Sequence, residues 1–146
     1  VLCKDFIIDK KQLVRARNAG ATMVLLIVAA LSRTKLEELY NQARDLELEV
    51  LMEVHNETEL AIAQQLNAQL IGVNNRDLKT FEVTIEVSRS LAEQQSTDAV
   101  YISESGFATG EQVAQVKAGY QAVLVGESFM RSGEPQAKVQ ELRVKR

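Results

Sequence analysis

The chain repeats one pattern six times, a short apolar run followed by a stretch with helical periodicity. The runs begin 22, 26, 21, 29 and 23 residues apart, and each ends in a polar or glycine-containing tip. They cover residues 1–6, 23–30, 49–55, 70–77, 99–106 and 122–128. Runs such as MVLLIVAA are aliphatic throughout, as parallel strands covered on both faces require. The repeat predicts an α/β fold of the TIM (β/α)8 barrel type, with six of the eight β/α units present.

Capping signals predict where the helices between these strands begin. The predicted helices are 10–18 after Asp9, 33–46 after Ser32, 57–66 after Asn56, a segment after Thr109, and 134–144 with Pro135 in its first turn. Asp, Ser, Asn and Thr side chains can each accept a hydrogen bond from a free backbone N–H of the first turn. Glu59 and Gln112 lie three residues after Asn56 and Thr109, the spacing of a capping box.

Composition excludes several classes of protein. Apolar residues make up 46% of the chain and charged residues 25%, as is ordinary for a globular protein. The net charge of −3 gives no sign of a basic surface that would bind nucleic acid or an anionic membrane. No apolar stretch reaches the roughly 20 residues that span a bilayer. A single cysteine, Cys3, excludes an intrachain disulfide, and a single histidine argues against a zinc site. We therefore expect a cytoplasmic protein, with residues 1–146 forming a single domain because no linker divides them.

Three ionisable residues are candidates for acid–base chemistry, because a barrel gathers its active-site side chains at the carboxyl ends of its strands. Lys4 would become a usable acid if it pointed into a barrel mouth, but on an edge strand it would stay solvated. Glu53 lies within an apolar strand, where it is either functional or half of a structural ion pair with a lysine. His55 lies on the same face of the strand as Glu53, and it is interpreted as a hydrogen-bonded supporting residue rather than as a catalyst.

The fourth run ends in Asn-Asn-Arg-Asp, residues 74–77. Two amides, a guanidinium and a carboxylate suit a loop that binds a polar ligand, and they suit a hydrogen-bonded turn equally well. Arg76 is the candidate for binding an anion, because its fork of donors matches a carboxylate or a phosphate.

The last two runs end in Ser-Glu-Ser-Gly (103–106) and Val-Gly-Glu-Ser (125–128). Small residues at such tips expose backbone N–H groups, and the final strands of a barrel commonly form a phosphate site in this way. Each tip alone is an ordinary turn, but the pair favours phosphate binding. The sequence has neither a strand followed by GxGxxG nor a GxxxxGK[ST] loop, so a nucleotide site of either kind has no support.

The strands and tips together closely resemble the indole-3-glycerol phosphate synthases of tryptophan biosynthesis. The resemblance rests on VLCKDFI, VLLIVAAL, EVLMEVH, IGVNNRDLKTF, SESG and AVLVGESFMR in this order, and it runs from the family's third barrel strand to its last helix. It implies a carbon–carbon lyase that closes the indole ring of 1-(2-carboxyphenylamino)-1-deoxyribulose 5-phosphate with loss of CO₂ and water. The implied substrate is thus a phosphorylated small molecule, and neither a cofactor nor a metal is implied.

The resemblance also assigns roles to residues, position by position. Lys4 matches the general acid that protonates the substrate carbonyl oxygen, and Glu53 matches a proton-transfer partner in the dehydration. Glu104 is the third catalytic match. Asn74 and Glu104 match the amide and the carboxylate that hold the substrate hydroxyls and the anthranilate ring in the family. The remaining matches are Phe6 as an apolar wall, Arg76 and Ser105 as substrate-binding residues, and Gly106, Gly126, Glu127 and Ser128 as phosphate-binding residues.

Family members also carry an amino-terminal extension and two earlier strands, and the first of these strands brings a glutamate and a second lysine to the site. Without them, this chain by itself is expected to be nearly inactive. One alternative is a non-catalytic partial barrel that binds phosphate, a complementary amino-terminal fragment or a second copy, since six open strands leave two unpaired edges. Another alternative is a different phosphate-binding barrel such as phosphoribosylanthranilate isomerase, which would place Cys and Asp in the acid–base roles.

Overall fold

In a computed structural model, which describes residues 1–143, strands and helices alternate along the chain. The strands are β1 (Leu2–Cys3), β2 (Met23–Ile27), β3 (Glu49–Val54), β4 (Leu70–Asn74), β5 (Val100–Glu104) and β6 (Ala122–Leu124). The helices are α1 (Lys10–Asn18), α2 (Arg33–Asp45), α3 (Glu57–Gln65), α4 (Glu86–Leu91), α5 (Gly110–Val116), α6 (Glu127–Arg131) and α7 (Pro135–Leu142), with short 3-10 turns at Val28–Ala30 and Ala92–Gln94. Strand order in the sheet follows chain order, β1-β2-β3-β4-β5-β6. This arrangement confirms the predicted α/β fold of six successive β/α units.

The chain divides into two compact units, and the first is Val1–Gly72. Its strands β1, β2 and β3 pair in parallel, with Leu2 opposite Met23 and Ile27 opposite Glu53. Strands β2 and β3 are buried along nearly all their length, and α2 contributes the fully buried Leu36 and Leu39. The aliphatic runs of β2 and β3 are therefore covered on both faces, as their sequence predicted, whereas no residue of β6 is buried.

The second unit begins at Val73. In it β5 pairs in parallel with β6, with Ile102 opposite Ala122. Its buried apolar side chains include Leu91 and Tyr101, but its strand ends also bury polar side chains, which the first unit does less. The single domain expected for residues 1–146 remains a prediction.

The caps that the sequence predicts are present. The side chains of Asp9, Ser32 and Asn56 each accept a hydrogen bond from a first-turn backbone N–H, and the three helices end within one residue of the predicted bounds. Thr109 and Gln112 form the predicted capping box at α5. The second predicted box is wrong in one half: the Glu59 carboxylate accepts from the backbone N–H of His55, one residue before the cap. The end of the predicted helix 134–144 lies outside the described residues.

Each of the six strands is shorter than the run that predicted it, as the first two illustrate. The first pairs only over Leu2–Cys3, so Lys4 follows the strand, and the second gives way to the 3-10 turn at Val28. After β4 the chain forms a loop that is held by an antiparallel bridge between Arg76 and Val83. Among residues 1–143 no helix is long and apolar enough to cross a membrane.

Candidate active site

Lys4 and Glu53, the two predicted acid–base residues, form an ion pair in the first unit. Lys4 follows β1 and Glu53 lies near the end of β3, and Nζ of Lys4 is 3.2 Å from Oε2 of Glu53. The Glu53 side chain is only 2% exposed, whereas that of Lys4 is 39% exposed. A carboxylate buried to this degree is stable only with a cationic or hydrogen-bonding partner. The pair therefore joins a buried proton acceptor to an ammonium group that solvent and small molecules can reach.

The second oxygen of Glu53 faces His55. Nε2 of His55 lies 3.3 Å from Oε1 of Glu53, an ion-pair contact rather than a well-aligned hydrogen bond. On the other side of the ring, Nδ1 lies 2.9 Å from Oε2 of Glu59. Burial lowers the pKa of His55, but the contacts with Glu53 and Glu59 outweigh burial and raise it to about 9. The ring is therefore an imidazolium at neutral pH.

Helix α3 fixes the position of Glu59. Asn56 caps the helix by accepting from the backbone N–H of Glu59, and its Nδ2 donates to Oε1 of Glu59 at 2.7 Å. The other carboxylate oxygen accepts from the backbone N–H of His55 at 2.8 Å. Burial raises the pKa of Glu59, yet its bonds with the ring and backbone of His55 lower it overall. Glu59 is therefore held as a carboxylate against the ring.

In the second unit, Asn75 organises a buried polar network. Its Nδ2 donates to Oγ of Ser103 at 3.0 Å and to the carbonyl of Ser105 at 3.1 Å, and its Oδ1 accepts from the backbone N–H of Ser88 at 3.0 Å. The hydroxyls of Ser88 and Ser103 are also hydrogen-bonded to each other. Asn75 is 1% exposed. One amide therefore joins the end of β4, helix α4 and the tip of β5.

The tip of β5 has an unusual backbone conformation. Ser105 and Gly106 both adopt left-handed angles, with φ of 66° and 85°. A Cβ on Gly106 would lie 2.8 Å from Cγ1 of Val83, so any other residue at this position requires the Val83 side chain to move. The Ser105 N–H donates to the carbonyl of Leu124 and is thus engaged with the end of β6. Glu104, just before this turn, is 1% exposed.

Arg76 and Glu127, both predicted ligand-binding residues, are paired with each other. Nη2 of Arg76 lies 2.6 Å from Oε2 of Glu127, whose other oxygen lies 2.9 Å from Nη2 of Arg131. Asn74 supports the turn, because its Oδ1 accepts from the backbone N–H of Arg76 at 3.0 Å. The Ser128 hydroxyl donates to the carbonyl of Phe107. The side chains of Glu127 and Ser128 are thus engaged within the protein, and Gly126 is the residue that precedes α6.

Sequence reasoning missed the roles of two residues in these clusters. Glu59 was expected only to cap a helix, although its spacing from His55 was visible in the sequence. Asn75 lies within the Asn-Asn-Arg-Asp motif, but no sequence signal distinguishes its buried amide from that of Asn74. Phe6, expected to be an apolar wall, is 60% exposed. Within residues 1–143, no group of three or more His, Cys, Asp or Glu side chains has an arrangement that could hold a metal ion.

A family model described as indole-3-glycerol phosphate synthase matches residues 1–142. The chain belongs to this family. The indole-3-glycerol phosphate synthase of Listeria monocytogenes is 61% identical over 146 residues, which are 100% of this chain and 58% of that protein. The synthase of Streptococcus mutans is 54% identical over 143 residues, which are 98% of this chain and 56% of the relative. The chain thus spans little more than half the length of these relatives, a share that fits the expected carboxy-terminal portion.

Solved structures of other members of this fold are also similar. A crystal structure of 3-hexulose-6-phosphate synthase matches with a TM-score of 0.77 and 16% identity, over 97% of this chain and 71% of that one. The 3-hexulose-6-phosphate synthase of Salmonella typhimurium matches with a TM-score of 0.80 and 14% identity, over 97% of this chain and 70% of that one. At such identities the likeness shows the fold alone, and it confirms the predicted class of TIM-barrel type.

Proposed function

We propose that this chain carries the acid–base and phosphate-binding residues of an indole-3-glycerol phosphate synthase. The reaction closes the indole ring of 1-(2-carboxyphenylamino)-1-deoxyribulose 5-phosphate with loss of CO₂ and water. The observation that carries the proposal is the contact of 3.2 Å between the Lys4 ammonium and the buried Glu53 carboxylate in a member of this family. The reaction is proposed to run in the cytoplasm, where the free thiol of Cys3 stays reduced.

The reaction requires both an acid that donates a proton and a base that accepts one. Ring closure needs an acid on the carbonyl oxygen, and dehydration needs a base for the ring proton and an acid for the departing hydroxyl. The partly exposed Lys4 ammonium supplies the acid, and the Glu53 carboxylate accepts the proton in the later step. Glu104, the third proposed catalytic residue, offers a second buried carboxylate at the end of β5.

Substrate binding is proposed to use the strand ends of the second unit. Asn74 and Ser105 hold polar groups of the substrate, and Phe6, an exposed aromatic side chain, covers its ring. The phosphate lies near Arg76, where it competes with the carboxylate of Glu127 for the guanidinium. Glu127 itself contributes only its backbone N–H, because its carboxylate repels an anion. The other phosphate contacts come from Gly106, Gly126 and Ser128.

Contacts with the phosphate can lower the activation free energy of the reaction, although the phosphate itself does not react. Contacts with a non-reacting phosphate orient a substrate before the chemical steps, which lowers the entropy lost on the way to the transition state. In the family, an earlier strand adds a glutamate and a second lysine to the site. We therefore propose that residues 1–146 alone turn over substrate far more slowly than an enzyme that contains this strand.

The test is turnover measured by the appearance of indole absorbance. In the full-length gene product, Lys4→Ala is expected to lower kcat by at least about a hundredfold, because a general acid is lost. The matched control is Lys11→Ala, which removes an exposed lysine of α1 and leaves kcat unchanged. Retained turnover in the Lys4→Ala protein contradicts the proposed function.

A second candidate function is a non-catalytic partial barrel that binds phosphate, a complementary fragment or a second copy of the chain. It is favoured by the sheet order, in which β1 and β6 are the terminal strands of the described sheet and each has an open edge. Size-exclusion chromatography and turnover assays on residues 1–146 separate the two functions. A monomer with full activity excludes this alternative, and a stable but inactive dimer favours it.

A further inference from the structure

We propose that His55 and Glu59 are positioning residues that keep the Glu53 carboxylate ionised and oriented for proton transfer. This inference rests on the proposed function, because it concerns the role of Glu53 in that reaction. Neither residue is expected to touch the substrate. Both act through Glu53, as outer groups do when they orient a catalytic side chain.

The two oxygens of Glu53 contact two different cations. Oε2 lies 3.2 Å from Nζ of Lys4, and Oε1 lies 3.3 Å from Nε2 of His55. A carboxylate held at both oxygens cannot rotate freely about its terminal torsion, so the direction of its lone pairs is fixed. The orientation therefore depends on His55 as much as on Lys4.

The two cations differ in what they do during the reaction. If Lys4 gives up its proton as the general acid, it becomes neutral and no longer stabilises the charge of Glu53. His55 has no such role and keeps its proton, since Glu59 holds Nδ1 and the burial of the ring is offset by two carboxylates. Glu53 therefore remains a carboxylate at the stage when it must accept a proton.

The surroundings of His55 contain few other charges that could act in its place. The carboxylates that act on the ring are those of Glu53 in β3 and Glu59 in α3. The adjoining 3-10 turn, Val28–Ala30, and strand β2 contribute only apolar side chains. The buried face of α2 is Leu36, Leu39, Tyr40 and Ala43, and the Tyr40 hydroxyl donates to the carbonyl of Asn67. With Lys4, these contacts join two positive and two negative groups, and loss of the His55 proton would remove one of the two cations that contact Glu53.

Proton NMR of the ring tests the protonation of His55 directly. In the full-length gene product, the ring signals of His55 are those that disappear in His55→Gln. The wild-type ring is expected to titrate with a pKa near 9, and Glu59→Gln is expected to lower that value. The charge-matched control is Glu57→Gln, which removes an exposed carboxylate from the same first turn of α3 and leaves the titration of the ring unchanged. A ring that titrates at its ordinary value of 6.5 overturns the inference whatever the activity.

Kinetics test whether the contact serves catalysis. His55→Gln is expected to lower kcat roughly tenfold at the acid end of the pH profile and to change KM by less than about twofold. The acid limb of the kcat profile moves to higher pH, because Glu53 ionises less readily without a neighbouring cation. Circular dichroism confirms that the variants are folded, and Glu59→Gln provides a second variant with the same expected shift.

An unmoved acid limb in both folded variants overturns the inference. Full activity in Glu53→Gln instead refutes the proposed function, while the NMR titration still decides the state of His55.

Discussion

Glu59 holds His55 at two points, the backbone N–H at 2.8 Å and the ring Nδ1 at 2.9 Å. The first bond joins the end of β3 to the start of α3, and the second fixes the ring between two carboxylates. A link between strand and helix and a charge contact are thus made by one side chain. Loss of either partner is expected to affect both the local structure and the ionisation of the cluster.

The stability of the fold is expected to depend on pH through this pair. The pKa of His55 is raised from 6.5 to about 9, so its contribution is fully present below pH 6.5 and is lost as the pH rises through 9. The pKa of Glu59 is lowered from 4.5, so its contribution is present above pH 4.5 and is lost as the pH falls through its folded value. Urea unfolding of the full-length protein between pH 5 and 10 measures the His55 part of this effect. The His55 contribution is expected to be about 2–3 kcal/mol, and a His55→Gln protein lacks this loss at high pH.

Asn75→Ala is expected to destabilise the protein strongly. The truncation leaves the backbone N–H of Ser88, the hydroxyl of Ser103 and the carbonyl of Ser105 without this partner in a buried region. The expected loss in the free energy of unfolding is about 3 kcal/mol. Urea denaturation measures it, with the exposed Asn18→Ala as the control, for which the expected change is within about 0.5 kcal/mol. Equal stability of the two variants contradicts the role given to Asn75.

Gly106→Ala is expected to lower stability through the backbone and through a clash. Its φ of +85° is unfavourable for alanine, and the new Cβ would lie 2.8 Å from Cγ1 of Val83. We expect a loss of roughly 1–3 kcal/mol, together with weaker binding of inorganic phosphate because the tip of β5 moves. Gly133→Ala is the matched control, since a Cβ there has no neighbour within 4 Å. Thermal denaturation and phosphate titration check both effects, and a wild-type melting temperature for Gly106→Ala counts against the expectation.

Glu127→Gln is expected to increase the affinity for phosphate. The change removes the carboxylate that pairs with Arg76 at 2.6 Å and a like charge beside the proposed phosphate. The Kd of inorganic phosphate, measured by calorimetry on the full-length protein, is expected to fall roughly two- to fivefold, since a partly exposed ion pair is worth at most about 1 kcal/mol. The control Glu111→Gln removes an exposed carboxylate from the first turn of α5 and leaves the Kd unchanged. Weaker binding to Glu127→Gln would show that the carboxylate serves to orient Arg76.

The helices that could be predicted from the sequence are those with side-chain caps. Asp9, Ser32, Asn56 and Thr109 all accept a hydrogen bond from the turn that they open. Helices α4 and α6 follow Ile85 and Gly126, which make no side-chain cap, and their starts carry no such signal in the sequence. Local capping chemistry is visible in a sequence, and these two helices lack it at their first residues.

The candidate site could be predicted in part for a similar reason. An ion pair with a lysine was one of two interpretations of Glu53, an acid inside an apolar strand, and the structure pairs it with Lys4. The pairing of Arg76 with Glu127 could not be expected, because 51 residues separate them and no local pattern connects the two. The role of Asn75 depends likewise on Ser88 and Ser103, which come near it only in the folded chain.

The short ion-pair contacts around Glu53 have a consequence for the effect of ionic strength. Lys4 and His55 lie within 3.3 Å of Glu53, and His55 lies 2.9 Å from Glu59, so dissolved ions screen these partly buried contacts only weakly. Arg76, in contrast, is proposed to attract an anion from solution, and dissolved salt screens such an attraction. Added salt is therefore expected to weaken the proposed binding of a phosphorylated molecule and to leave the contacts among Lys4, Glu53, His55 and Glu59 nearly unchanged.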